Sequence, residues 1–317
     1  MARARGSVTV LVYHPDESAA YAALVPADAA VHVRVCDSET EAAKAITDAD
    51  VVYAWRFPAP LYARAPRLRW LQAMGAGVEW ALVPSLSRGV VVTRAPGVFG
   101  PWMAEYVVGW LLWVTQRMDV YRDAQRARRW RGDVIPERLA GKTMLVVGLG
   151  EIGRAVAQAG RALGLRVIGV SRSARPVRGV ARVYPARALA RALAEADLVT
   201  VTVPLTPATR ALLGSDELAA MRPSAWLVNV ARGAVVDEDA LVAALRSRRI
   251  AGAILDVFAE EPLPPAHPLW GLDNVVVTPH IAGPSTPAEI APIFADNLAR
   301  FLRGRPLRHV VDRRRGY

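Results

Sequence analysis

Three polar residues, widely separated in the chain, have the types and settings for one piece of chemistry. They are Arg232 in Asn229-Val230-Ala231-Arg232-Gly233, Glu261 in Asp256-Val257-Phe258-Ala259-Glu260-Glu261-Pro262, and His280 in Thr278-Pro279-His280-Ile281-Ala282-Gly283. Each follows a short apolar run that reads as a strand. Each therefore falls at or beyond a strand's carboxyl end, the edge where open α/β sheets gather their ligands. An arginine there holds a carboxylate bidentately and polarises a carbonyl. A histidine donates a proton near neutral pH. A carboxylate beside that histidine favours the imidazolium and fixes the tautomer. These are the groups that reduction of a 2-oxo acid requires. Taken singly, each has a bland reading: a surface arginine, a structural histidine, a solvated Glu260-Glu261 pair. Their joint placement carries the argument.

A second constellation supplies a place for a dinucleotide. In Val146-Val147-Gly148-Leu149-Gly150-Glu151-Ile152-Gly153, three glycines stand on a strand–turn–helix corner. A buried strand over 143–147 precedes them. Ile152, Val156 and Ala159 then recur at helical spacing, and the pattern stops at Gly164. A second apolar strand over 165–170 completes the βαβ unit. In that context Gly148 permits the tight turn, Gly150 admits a pyrophosphate to the backbone, and Gly153 lets helix and strand pack closely. The free N–H groups at the helix start face a negative ligand. Outside that context, the glycines would be an ordinary turn.

The elements that must position these residues follow from the alternation of short apolar runs and helical stretches. Strands are expected at 8–12, 31–35, 51–54, 68–71 and 90–92, with helices at 16–24, 39–46 and 60–65, which is an α/β unit with a parallel sheet. Pro96-Gly97 and Gly100-Pro101 then punctuate the chain. One long helix is expected from Trp102 to about Trp130, its aromatic face serving either a core or a subunit interface. Beyond it the 143–147 and 165–170 strands are joined by strands at 197–203, 225–230, 250–256 and 274–278, with helices at 215–221 and 237–248, giving a doubly wound sheet of six strands. The helical stretch 286–302 is expected to return to the first unit.

Composition excludes several classes. The chain has 317 residues, 53% hydrophobic and 22% charged, enough for two globular domains. No apolar run is long enough to span a bilayer. The basic Ala2–Gly6 stretch is followed by too short an apolar run for a signal peptide, so a cytoplasmic location is expected and no membrane partner. Cys36 is the one cysteine and the histidines number 5; neither offers metal-ligand spacing, so no metal is expected. No Gly-x-Ser-x-Gly elbow is present. The net charge of +11 is nearly all arginine spread along the chain, so no nucleic-acid partner is expected. Arg313-Arg314-Arg315 is expected to form a solvated, mobile tail.

The glycine corner, Val203-Pro204-Leu205-Thr206-Pro207 with Thr209, and the segments around Arg232, Glu261 and His280 together resemble the D-isomer-specific 2-hydroxyacid dehydrogenases, in the right order and over most of the chain. The resemblance implies an α/β fold of two domains: a Rossmann-type doubly wound cofactor domain, residues 100–281, inserted in a smaller flavodoxin-like substrate-binding domain, residues 1–99 and 282–317. It places the catalytic arginine, glutamate and histidine on Arg232, Glu261 and His280, choosing Glu261 over Glu260 because it immediately precedes the proline. It implies cofactor contacts from Gly148, Gly150, Glu151, Ile152, Gly153, Ser171, Arg172, Ser173, Val203, Pro204, Thr209, the Val230 carbonyl, Asp256 and Gly283. It implies substrate contacts from the Met74-Gly75-Ala76-Gly77 loop, and from Trp55 and Arg56.

One departure bears on the cofactor. Members that prefer NAD usually carry an acidic residue at the end of the second Rossmann strand, on the ribose hydroxyls. Here Ser171-Arg172-Ser173 stands there instead, and an arginine favours a 2′-phosphate. NADP(H) is the expected cofactor, with NAD(H) possible. Ser171-Arg172-Ser173 and the proline-rich stretch after Glu261 are most similar to the glyoxylate and hydroxypyruvate reductase branch. The implied reaction is reduction of a small 2-oxo acid to the D-2-hydroxy acid by a homodimer. The alternatives are an NAD-dependent dehydrogenase of a bulkier D-2-hydroxy acid, and a non-catalytic NAD(H)-sensing protein like the corepressors built on this scaffold.

Overall fold

The computed structural model describes residues 7–317 and divides the chain into two compact units, Met1–Val98 with Ser285–Tyr317, and Phe99–Pro284. The Ala2–Gly6 stretch lies outside the described residues. The first unit is built on β1 (Val8–Tyr13), β2 (Val31–Cys36), β3 (Val51–Ala54), β4 (Trp70–Ala73) and β5 (Val91–Thr93), with helices α1 (Ser18–Ala23) and α2 (Glu39–Ala45). All pairings are parallel, in the order β2-β1-β3-β4-β5, the flavodoxin-like order. β3 and β4 are buried along their whole length, which explains the unbroken apolar run of β3 and, in β4, an apolar run interrupted only by Gln72. The edge strand β2 is mostly exposed.

The helix Pro287–Leu302 packs on this sheet. Its Phe294 ring stacks on Tyr53 at 4.0 Å and on Trp70 at 5.2 Å between centroids. A buried polar chain runs beside them. Trp70 Nε1 donates to Thr93 Oγ1 at 2.7 Å, Thr93 to Gln72 Oε1 at 2.7 Å, and Asn297 Nδ2 to the same Gln72 oxygen at 3.2 Å. Asn297 also clasps Arg308 through its N–H and carbonyl, which draws the C-terminal segment onto the sheet. The arginine tail is therefore not free, contrary to the expectation from charge alone. Val311 N–H bonds the Val92 carbonyl. Arg313 Nη2 donates to the carbonyls of Ser87 and Val90 at 3.0 and 2.7 Å. Backbone acceptors held in place by the fold outweigh solvation of that guanidinium.

The second unit opens with α3 (Phe99–Thr115) and α4 (Met118–Arg126). These replace the single helix expected from Trp102 to Trp130. The break is at Arg117, which takes a left-handed φ of 53°. β6 (Thr143–Val147), β7 (Arg166–Ser171), β8 (Arg182–Pro185), β9 (Leu198–Val201), β10 (Trp226–Asn229), β11 (Gly252–Leu255) and β12 (Val275–Val277) follow, interleaved with α5 (Glu151–Ala162), α6 (Leu189–Glu195), α7 (Ser215–Ala220) and α8 (Glu238–Arg246). The sheet is parallel throughout, in the order β12-β11-β10-β9-β6-β7-β8. It has seven strands, not the expected six. The extra strand β8 is a partly exposed edge, Arg-Val-Tyr-Pro, with no apolar run to announce it. Strand order reverses between β6 and β9, so their carboxyl ends form the switch point where doubly wound sheets bind ligands.

Candidate active site

Because the seven strands are parallel, the loops at their carboxyl ends share one edge of the sheet. Gly148–Gly153 follows β6; Ser171 ends β7, followed by Arg172 and Ser173; Val203, Pro204 and Thr209 follow β9; Val230 and Arg232 follow β10; Asp256 and Glu261 follow β11; His280 and Gly283 follow β12.

The glycine corner is packed to its limit on one side and open on the other. Gly148 takes φ +101° and lies against Val203, and a Cβ there would sit 2.8 Å from a Val203 methyl. A Cβ on Gly153 would lie 1.9 Å from the Gly148 carbonyl oxygen, whereas one on Gly150 would meet nothing within 4 Å. So α5 packs directly on the β6 turn, and the space at Gly150 is open. Thr202, which sequence reasoning passed over, ties the corner to β9: its hydroxyl donates to the Gly148 carbonyl at 2.7 Å. This cradle fits a dinucleotide pyrophosphate. Ser171 Oγ accepts the Ala174 N–H, closing the turn that carries the exposed Arg172 and Ser173. No carboxylate stands among these three residues. Thr209 is engaged within its own loop, donating to the Pro204 carbonyl at 2.6 Å and accepting the Thr206 N–H at 2.8 Å.

Glu261 and His280 meet directly. His280 Nδ1 lies 2.8 Å from Glu261 Oε2, with side chains 31% and 26% exposed. The other oxygen, Oε1, accepts the Phe258 N–H at 3.0 Å. The carboxylate is thus fixed at one end by backbone and presents the other to the imidazole. Glu260 makes no contact of this kind among the described residues. The Glu261 loop also touches the Arg232 loop: a Cβ on Gly233 would fall 1.9 Å from the Phe258 backbone. Asn229, buried at the end of β10, clasps the arginine's loop by accepting the Ala231 N–H at 3.1 Å and donating to the Arg232 carbonyl at 3.2 Å. Arg232 Nη1 donates to the Ala231 carbonyl at 2.7 Å.

Asp256, expected at the nicotinamide carboxamide, stands at the end of β11 beside the His280 turn. It is 1% exposed, and both its oxygens are engaged by the turn that carries His280. These three bonds use three of the about four acceptor sites of the carboxylate. Gly283 is packed against Met103 and Phe99 of α3, with a built Cβ only 3.0 Å from Met103 Cγ.

In the first unit, Trp55 and Arg56 follow β3, and Met74-Gly75-Ala76-Gly77 follows β4, at the carboxyl edge of the five-stranded sheet. The six-membered ring of Trp55 rests on Gly75. Met74 differs from the expectation: its side chain is fully buried and its N–H bonds the Ala54 carbonyl at 2.9 Å. β4 runs to Ala73, two residues past the expected end at Leu71, and its pairing with β3 reaches Met74 as well. The N–H groups of Gly75, Ala76 and Gly77 have no acceptor among the described residues. His14, after β1, completes this edge. Its Nδ1 accepts the N–H groups of Asp16 and Glu17 at 3.1 and 3.0 Å, and its ring lies 6.3 Å from Trp55. Burial lowers its pKa, partly offset by Glu17 and Asp16.

Residues 108–282 match the family model described as D-isomer specific 2-hydroxyacid dehydrogenase, NAD binding domain. The chain belongs to this family. It is an oxidoreductase of that family, with an NAD(P)-binding domain inserted in a flavodoxin-like unit. A glyoxylate reductase of Aeropyrum pernix is 38% identical to this dehydrogenase over 286 residues, 84% of each chain. An NADPH-dependent glyoxylate/hydroxypyruvate reductase of Sinorhizobium meliloti, solved with NADP and sulfate, superposes with a TM-score of 0.88 at 30% identity, covering 98% of this chain and 100% of that one. A D-isomer-specific 2-hydroxyacid dehydrogenase of Xanthobacter autotrophicus, solved with NADPH and MES, gives 0.85 at 36% identity over 98% and 100%. Among the described residues no helix is long and apolar enough to cross a membrane, and no cluster of His, Cys, Asp or Glu could hold a metal ion.

Proposed function

We propose that the chain reduces a small 2-oxo acid, glyoxylate or hydroxypyruvate, with NADPH, giving the D-2-hydroxy acid where the product has a stereocentre. The observation that carries the reading is the 2.8 Å pair of His280 Nδ1 and Glu261 Oε2 at the carboxyl edge of the dinucleotide-binding sheet. When bound, the reduced nicotinamide supplies the hydride. Arg232 holds the substrate carboxylate and polarises the carbonyl. His280 gives its Nε2 proton to the carbonyl oxygen, since Nδ1 is engaged by Glu261. Glu261, pinned by the Phe258 N–H, keeps the ring oriented and fixes which nitrogen faces the substrate.

The glycine corner, with Glu151 and Ile152, receives the pyrophosphate, and Val203, Pro204, Thr209, the Val230 carbonyl and Gly283 line the rest of the cofactor site. Ser171, Arg172 and Ser173 receive the 2′-phosphate. The absence of a carboxylate in that turn supports NADP(H) over NAD(H), as do the NADP- and NADPH-bound relatives. The first unit binds substrate through the N–H groups of Gly75, Ala76 and Gly77, beside Trp55 and Arg56. Two copies pair through α3 and α4, where Trp102 and Tyr121 are 41% and 38% exposed, and the enzyme works in the cytoplasm.

His280→Ala tests the assignment. Turnover should fall by about 10³-fold, as loss of a general acid does, while NADPH still binds as measured by fluorescence titration. Unchanged turnover would remove His280 from the reaction.

A further inference from the structure

A buried chain of donors runs from α3 to the turn that carries His280. Asp256 Oδ1 accepts the Thr278 hydroxyl at 2.6 Å and the Ile281 N–H at 2.8 Å; Oδ2 accepts the Ala282 N–H at 2.8 Å. The Asp256 backbone carbonyl accepts the His280 N–H at 2.9 Å. Three consecutive N–H groups are therefore held by one residue. They surround a histidine with φ +55°, a left-handed conformation uncommon outside glycine, which these bonds hold in place.

The direction of the chain is fixed by chemistry. A carboxylate only accepts, so the Thr278 hydroxyl must donate to Asp256. The Tyr106 hydroxyl lies 2.6 Å from Thr278 Oγ1. The one hydroxyl hydrogen of Thr278 is spent on Asp256, so its oxygen accepts here and Tyr106 donates. Burial raises the Tyr106 pKa, so the phenol stays a donor. The order is Tyr106 to Thr278 to Asp256, and Asp256 then grips the His280 turn.

We propose that Tyr106 and Thr278 are positioning residues for His280, acting through Asp256 to hold the 278–282 turn in the conformation that aims the imidazole. The inference rests on the reading of His280 as proton donor. It assigns to α3 a part in the reaction for residues that touch no reacting atom. A turn released at Asp256 would let the ring drift from Glu261, and drift of that kind costs rate and not ground-state binding.

The test uses the full-length protein as Tyr106→Phe, Thr278→Val and Thr278→Ser. Glyoxylate reduction is measured with NADPH, and the His280 ring is followed by ¹H–¹⁵N spectra assigned with His280→Gln. Thr278→Val should lower kcat about tenfold or more and Tyr106→Phe severalfold, with both KM values little changed, the pattern of misplaced catalytic groups. The hydrogen-bonded Nδ1–H signal of His280 should broaden or vanish in both. Thr278→Ser, which keeps the hydroxyl, should restore rate and signal. Wild-type kcat and an intact signal in the first two variants would overturn the proposal, as would a serine variant no better than valine. If the wild type reduces no 2-oxo acid but the ring signal still depends on Thr278, the functional reading fails and the positioning role stands.

Discussion

Replacing Gly153 with alanine puts one methyl group where the fold has no room for it. The added Cβ would stand 1.9 Å from the Gly148 carbonyl oxygen, 2.8 Å from Thr202 Oγ1 and 3.0 Å from the Gly148 carbonyl carbon. Two of those three atoms are backbone, so no rotamer change relieves the clash. Helix α5 has to move off the β6 turn by about 1.5 Å to restore ordinary contact, and the Thr202 bond to Gly148 stretches with it. Overpacking of this kind costs about 1–3 kcal/mol, and a backbone clash belongs at the upper end. In a cooperative unit of this size, about 3 kcal/mol lowers Tm by roughly 6–12 °C. NADPH binding should weaken as well, because the displaced turn is the proposed pyrophosphate seat. Gly89→Ala is the control, since a Cβ there meets only Ser87 Oγ at 3.8 Å. Differential scanning fluorimetry and NADPH fluorescence titration read both effects. A Gly153→Ala protein melting within about 1 °C of wild type and binding NADPH normally would refute the packing argument.

Other consequences can be checked together. Arg172→Asp should weaken NADPH far more than NADH, because it removes a charge-assisted bond to the 2′-phosphate and adds repulsion; equal losses would separate Arg172 from cofactor choice. Burial, reinforced by Glu41 and Asp37, pushes the Cys36 thiol up to about 11. At pH 8 only about a thousandth is thiolate, so iodoacetamide should label the native protein very slowly and the unfolded protein fast; rapid native labelling would contradict this burial. His14 has a folded-state pKa below its ordinary 6.5. The unfolded chain therefore takes up the proton first as pH falls, so this contribution to stability is complete above 6.5 and is lost on acidification. His14→Asn, whose side-chain carbonyl can accept the same N–H groups, should flatten the fall of Tm between pH 7.5 and 5.5; an equally steep fall would exclude His14 as the titrating group.

The sequence reveals those parts of this molecule that depend on local pattern. The buried strands β3 and β6 fall on their expected residues because a parallel strand covered on both faces must be apolar without interruption. The glycine corner is legible because close backbone approach admits only glycine. What stays hidden depends on tertiary partners. β8 is a half-exposed edge strand whose pairing with β7 makes it a strand. The break at Arg117 is a single left-handed residue in a helical pattern that reads as continuous. Arg313 looks like a solvated charge until carbonyls of the chain turn towards it. At the site, the residue types of Arg232, Glu261 and His280 are visible in the chain, but the devices that hold two of their loops are not. Asn229, Thr278 and Tyr106 carry no distinguishing spacing, and the grip of Asp256 on the His280 turn shows only when its oxygens are traced.

The most direct test of the account is the initial rate of cofactor oxidation with glyoxylate and with hydroxypyruvate, run in parallel with NADPH and NADH. The account predicts rapid oxidation of NADPH and little of NADH. Comparable rates would contradict the reading of Arg172, and no oxidation of either cofactor despite tight binding would contradict the proposed reaction.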